Sequence, residues 1–104
     1  MLGGKNGENI ATWLYNSSGY PIAFIDQDNV FSKTGRFIGR LDGNEVWHGS
    51  YKGEIVLGDR FLYDVVKSSL TRSMSGIPGR PGIPGIPGSK GAIGPPSNFQ
   101  DVKL

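Results

Sequence analysis

Apolar residues recur in this chain with two periods at once. Within short segments they alternate with polar ones. Between segments they return every 16 residues, as Leu14-Tyr15, Val30-Phe31, Val46-Trp47 and Leu62-Tyr63. A polar residue follows each pair (Asn16, Ser32, His48, Asp64), and Gly19, Gly35 and Tyr51 stand four residues past the aromatic. Ten residues past it come Ile25, Leu41 and Leu57, then the turn formers Asp26-Gln27, Asp42-Gly43 and Gly58-Asp59. Asp-Gly and Gly-Asp between alternating segments signal tight hairpins, because primed turns need positive φ. Ser18-Gly19 and Thr34-Gly35 mark a second turn inside a unit. Each unit therefore predicts a short strand, a tight turn, a longer strand and another tight turn.

The longer strands present two faces. Pro21/Ala23/Ile25, Phe37/Gly39/Leu41 and Gly53/Ile55/Leu57 form one that is small or apolar. Tyr20/Ile22/Phe24, Arg36/Ile38/Arg40 and Lys52/Glu54/Val56 form the other. Such alternation predicts a half-buried antiparallel sheet. Residues 10–64 carry no helical periodicity, and Val65 to Thr71 could make only a short helix. The expected fold is all-β: 16-residue β-hairpin repeats in a small antiparallel meander. The short strands have an aliphatic side and an aromatic side, so both are covered. The simplest role for the aromatics is core; a ligand or tail stacked on them is the alternative.

From Gly76 to Pro96 the pattern changes to seven uninterrupted Gly-X-Y triplets, with Pro at Y in five. This predicts a polyproline-II or collagen-like tail, since only Gly fits at a triple-helix axis. Three placements stay open: a triple helix, a single strand docked through Ile77, Ile83, Ile86 and Ile93, or a solvated tail. The organisation is a flexible Gly-rich N-terminus (1–11), a β-repeat domain (12–67), a linker (68–75), the Gly-X-Y segment (76–96) and a polar C-terminal tail (97–104).

Size and charge narrow the function. If only the repeats pack, roughly 55 residues build the core, where burial barely exceeds the entropy cost, so a homo-oligomer is expected. The chain has no Cys, which excludes disulfides and thiolate metal sites. No apolar leader or membrane-length stretch is present, and a cytosolic protein with no membrane partner is the expectation. The net charge of +2 comes entirely from residues 76–104, and the neutrality of residues 1–75 argues against duplex nucleic acid.

The run Leu14-Tyr15-Asn16-Ser17-Ser18-Gly19-Tyr20-Pro21-Ile22-Ala23-Phe24-Ile25-Asp26, repeated from Val30 and Val46, resembles the four-fold β-flower proteins of bacteria and phages. The likeness covers about residues 12–64 and extends to the tail, with Ser97-Asn98-Phe99-Gln100-Asp101 as the short polar-aromatic terminus. It implies a β-petal architecture and multi-subunit assembly. The third unit departs from the pattern: Tyr51 replaces Gly, Glu54 replaces an aliphatic residue, and a bulged turn is expected there.

Catalytic chemistry is not visible. His48 has no Cys or second His to build a metal site, and occupies a solvent-facing or turn-bonding column. Asp26, Asp42 and Asp59 recur because turns need them. Asp26-Gln27-Asp28-Asn29 lacks the remainder of a calcium loop. No cofactor, metal or enzymatic activity is expected. A binding constellation remains: Arg36, Arg40 and Lys52 with Trp47 and Tyr51, since Arg forks grip phosphate and aromatic faces stack bases. The bland reading pairs Arg36 and Arg40 with Glu45, Glu54 or Asp64 across strands. The leading expectation is a non-enzymatic oligomer binding a cyclic oligonucleotide, a phage-type sponge for a nucleotide immune signal in the host cytosol. The alternatives are a collagen-like trimeric appendage of a virion or surface, and a peptide-binding module.

Overall fold

The structure, a computed structural model, describes residues 12–72 and 76–104. The expected N-terminal segment 1–11 lies outside the described residues. The strands are β1 (Thr12–Tyr15), β2 (Pro21–Asp26), β3 (Asn29–Ser32), β4 (Phe37–Asp42), β5 (Glu45–Val56), β6 (Arg60–Asp64), β7 (Thr71–Arg72) and β8 (Phe99–Asp101). One 3-10 turn, Val65–Lys67, is the only helix among the described residues, and Asp64 caps it by accepting from the Val66 N–H. It falls where the sequence allowed a short helix.

Strands β1 to β6 meander in order, each antiparallel to the next. The tight turns sit where the sequence put them, with positive φ at Gln27, Gly43, Leu57 and Gly58. The meander then closes on itself: β6 meets β1 in parallel at Tyr15 and Arg60, and Tyr15 N donates to Asp59 O at 2.9 Å. The result is a closed, barrel-like all-β body. Its interior is lined by Leu14, Ala23, Val30, Ile38, Val46 and Phe61. The first three beats of the 16-residue rhythm, Tyr15, Phe31 and Trp47, are buried, so the core assignment holds for them.

Two bulges correct the predicted alternation. Tyr15 faces Pro21 but Leu14 faces Ala23, which skips Ile22. Phe31 faces Phe37 but Val30 faces Gly39, which skips Ile38. An extra residue in one strand reverses the face of everything on one side of it. Ile38 therefore joins the interior and Ile22 packs against it, although alternation set both on the outer face. Phe37, expected inside, instead sits across from Phe31 at 5.8 Å.

The third unit has no internal tight turn. Where Asn16–Tyr20 and Ser32–Arg36 fold back, β5 runs through as a 12-residue strand, with positive φ at Gly49 and Gly53. β7 pairs with its middle, Gly49 with Arg72 and Ser50 with Thr71. The expected bulged turn is thus an opened one, and part of the expected linker is a strand. Tyr51 and Glu54, the two departures from the repeat, belong together: the Tyr51 hydroxyl donates to Glu54 Oε1 at 2.8 Å.

The fourth unit is completed from a distance. β8, at the far end of the Gly-X-Y segment, pairs with β6 through Leu62–Asp101, Tyr63–Gln100 and Asp64–Phe99. It occupies the ladder that β2 and β4 hold in their own units. Asp101 then ties β8 to the first unit, accepting from Ser17 N at 2.7 Å and Ser17 Oγ at 2.8 Å.

Between these anchors the segment 76–96 is neither helix nor strand, and its burial repeats every third residue. Pro78, Pro81, Pro84, Pro87, Ile93 and Pro96 are half-buried, while the Gly and X columns are exposed. Lys90 N donates to Gly19 O at 2.8 Å and Ile93 N to Ser17 O at 2.7 Å. The buried Arg60 guanidinium donates to Gly91 O at 2.7 Å and Asn16 O at 3.1 Å, fastening tail and turn to β6. The Lys90 ammonium pairs with Asp59 and stands 4.6 Å from the Tyr15 ring centre. Gly19 is required here: φ is +96°, and a Cβ would lie 1.9 Å from Lys90 O. Gly19→Ala is expected to lift the tail and cost about 2 kcal/mol, from left-handed strain plus lost hydrogen bonds. A lowered melting temperature with faster exchange of the Ile93 amide checks it.

Candidate functional site

Arg36 stands at the end of a turn that the sequence builds tightly. Ser32 Oγ accepts from Thr34 N at 3.3 Å and Arg36 N at 3.2 Å, and Gly35 takes φ +92°. This aims the exposed Arg36 side chain between two cavities. The first, about 290 Å3, is walled by Phe31, Phe37 and His48 and roofed by the tail from Ile77 to Arg80. The second, about 370 Å3, adds Lys33, Ser32 and Thr34. Ile22 and Leu104 complete the second; no Asp or Glu side chain lines either one, and among the described residues no carboxylate pairs with Arg36.

The aromatic wall ends a ladder that crosses the sheet. Trp13 to Phe24, Phe24 to Phe31 and Phe31 to Phe37 are 5.4, 5.5 and 5.8 Å between ring centres. His48 then meets Phe37 edge-on at 5.1 Å. Such a cleft, with Arg36 and Arg80 at its mouth, suits a flat ring bearing a negative group.

The five residues singled out from sequence do not converge. Arg36 alone lines these cavities. Arg40 reaches Asn29 Oδ1 at 3.4 Å and Gly76 O at 3.5 Å. Trp47 is buried, edge-on to Tyr51 at 5.6 Å and covered by the Arg72 guanidinium at 4.4 Å. Among the described residues its Nε1 lacks a partner of normal hydrogen-bond geometry, although the indole N–H helps favour the charged Glu45 carboxylate. Tyr51 is buried and structural: it donates to Glu54 and accepts from Asp64 N at 3.1 Å. Burial, then the neighbouring Glu54 carboxylate, push its phenol well above the ordinary value and keep it a donor. Lys52 lines a third cavity of about 350 Å3 together with Tyr51, Tyr63, Gln100 and Lys103, so of the five only Tyr51 and Lys52 share a cavity.

The acids assigned to Arg36 and Arg40 in the bland reading are taken. Lys67 Nζ bridges Glu45 Oε2 and Glu54 Oε1, both at 2.7 Å, and Asp64 caps the 3-10 turn. Sequence reasoning missed Phe37, His48 and Arg80. The bulge at Ile38 turned Phe37 outward, His48 is half-buried rather than solvent-facing, and Arg80 arrives only because the tail docks.

The class this defines is a small all-β repeat barrel with a cationic, aromatic-walled cleft at a hairpin turn. Residues 5–101 match the family described as 4-fold beta flower protein, and the chain belongs to that family. Comparison with curated proteins and with solved structures finds no match. Among the described residues no helix is long and apolar enough to cross a membrane, and no cluster of His, Cys, Asp or Glu could hold a metal ion.

Proposed function

We propose that this is a non-enzymatic ligand-binding protein whose ligand is a small anionic nucleotide. The best fit is a cyclic oligonucleotide, held as by a phage-type sponge that sequesters an immune signal in the host cytosol. The observation that carries this reading is Arg36, paired with no carboxylate among the described residues, beside the Phe37–His48 edge. A guanidinium fork grips phosphate bidentately, and an aromatic wall holds a base by its face. Each cavity is near the lower size limit of small-molecule sites and suits one base-phosphate unit. A cyclic oligonucleotide would therefore span the two cavities that share Arg36, or equivalent clefts on several copies of a homo-oligomer. The tail reads as polyproline II, supported by its three-residue burial rhythm, and in this reading it forms the roof of the cleft.

Thermal shifts with cyclic di- and trinucleotides test the proposal. At least one is expected to stabilise the protein, with Arg36→Ala weakening binding about tenfold to a hundredfold, as for a lost charge-assisted hydrogen bond. No shift with any of them, or an Arg36→Ala variant that binds like the parent, would sink it.

A further inference from the structure

The Gly-X-Y segment has one column whose missing side chains the single chain does not require. A Cβ at Gly79, Gly82, Gly85, Gly88, Gly91 or Gly94 would meet nothing within 4 Å. None of these six has positive φ; within the segment only Gly76 does. Alanine would fit at each, and would favour folding by restricting the unfolded chain. Among the described residues none of these six N–H groups donates to a backbone carbonyl. Beside the column stand Ile77 and Ile86, exposed at 67 and 59%, while Ile83 leans back over Gly35. The Pro column, by contrast, faces the barrel.

Solvent does not require a missing Cβ, whereas a closely approaching backbone does. Uninterrupted Gly at every third residue is what three chains need when they meet at one axis. We infer that the Gly face of the tail is the surface on which the same segment of two further copies packs. Three Gly columns meet at the axis, the exposed Ile residues cover the seams, and each Pro column stays on its own barrel. Seven triplets form a short triple strand. Here each chain is already held by Lys90, Ile93 and the Arg60–Gly91 bond, so less freedom remains to be lost on association. This inference does not depend on the ligand-binding reading.

The test is the mass of the full chain by light scattering across a dilution series, beside the double variant Gly85→Ala/Gly88→Ala. The parent is expected at three chains or a multiple of three. The double variant is expected to dissociate at a concentration at least tenfold higher, with an unchanged far-ultraviolet spectrum. Ser89→Ala, at an X position, is expected to keep the parent's mass. A monomeric or dimeric parent overturns the inference. So does a double variant that holds the parent's mass on dilution and melts at the same or a higher temperature, which is what a lone docked tail predicts. Failure of nucleotide binding leaves these masses unchanged and is separately readable.

Discussion

A chain ended at Pro96 is expected to lose about 5 kcal/mol, a large part of the roughly 5–15 kcal/mol that stabilises a small domain. Three losses add. The β6–β8 ladder and the bond from Val65 N to Asn98 O (2.8 Å) disappear, at about 1 kcal/mol per hydrogen bond. Asp101 no longer accepts the two Ser17 bonds, which lie exposed to solvent and together contribute about 2 kcal/mol. Val102, packed against the interior cluster, leaves an apolar surface open at about 1.5 kcal/mol. The edge of β6 and the Asn16–Gly19 turn should exchange their amides first. Asp101→Ala alone should cost about 2 kcal/mol, most of it from the Ser17 bonds. Urea denaturation of both variants decides the matter: a truncated chain within about 1 kcal/mol of the parent means that β8 is an ornament on the fourth unit rather than its second strand.

That dependence explains why the ring was only partly legible in the sequence. Turn chemistry is local, so Asp26-Gln27, Asp42-Gly43 and Gly58-Asp59 announce their hairpins without help from the remainder of the chain. The buried beat of Tyr15, Phe31 and Trp47 follows from the same locality. The bulges at Ile22 and Ile38 do not, because an extra residue leaves the composition of a strand unchanged and shows only in its register. Nor does the pairing of Tyr63 with Gln100, which spans the whole Gly-X-Y segment and is fixed by tertiary contacts alone. The candidate site divides along the same line. Arg36 was visible as a charged residue at a repeated turn. Trp47 and Tyr51 looked like ligand stackers, yet both are consumed by packing around Arg72, Glu54 and Lys67. Arg80 could not be placed before the tail was seen lying over Gly35, where a Cβ would stand 3.2 Å from Ile83.

The departures Tyr51 and Glu54 make a last prediction possible. Lys67→Met is expected to cost about 3 kcal/mol at neutral pH, because it leaves the Glu45 and Glu54 carboxylates facing each other without their shared cation. Glu54 is the severe part of that loss, being itself buried. In the double variant Lys67→Met/Glu54→Gln much of the cost should return, since a neutral amide still accepts from the Tyr51 phenol. The pH dependence carries the sign. Hydrogen bonds to Glu45 and Glu54 hold the Lys67 ammonium above its ordinary pKa, so its contribution is complete below about pH 10 and fades only as pH rises through the folded value. The Lys67 hydrogen bond holds Glu45 below the usual carboxylate value, so its contribution is present above about pH 4.5 and lost as pH falls through the folded value. Lys67→Met has no cation to lose, and acid relieves its carboxylate repulsion by protonating one of the pair. The gap between parent and variant should therefore be widest near pH 7 and close toward pH 4, read as converging urea midpoints. A gap that stays constant over that range would assign Lys67 to packing over the Tyr51 ring, 5.6 Å from its centre, and not to the carboxylates it bridges.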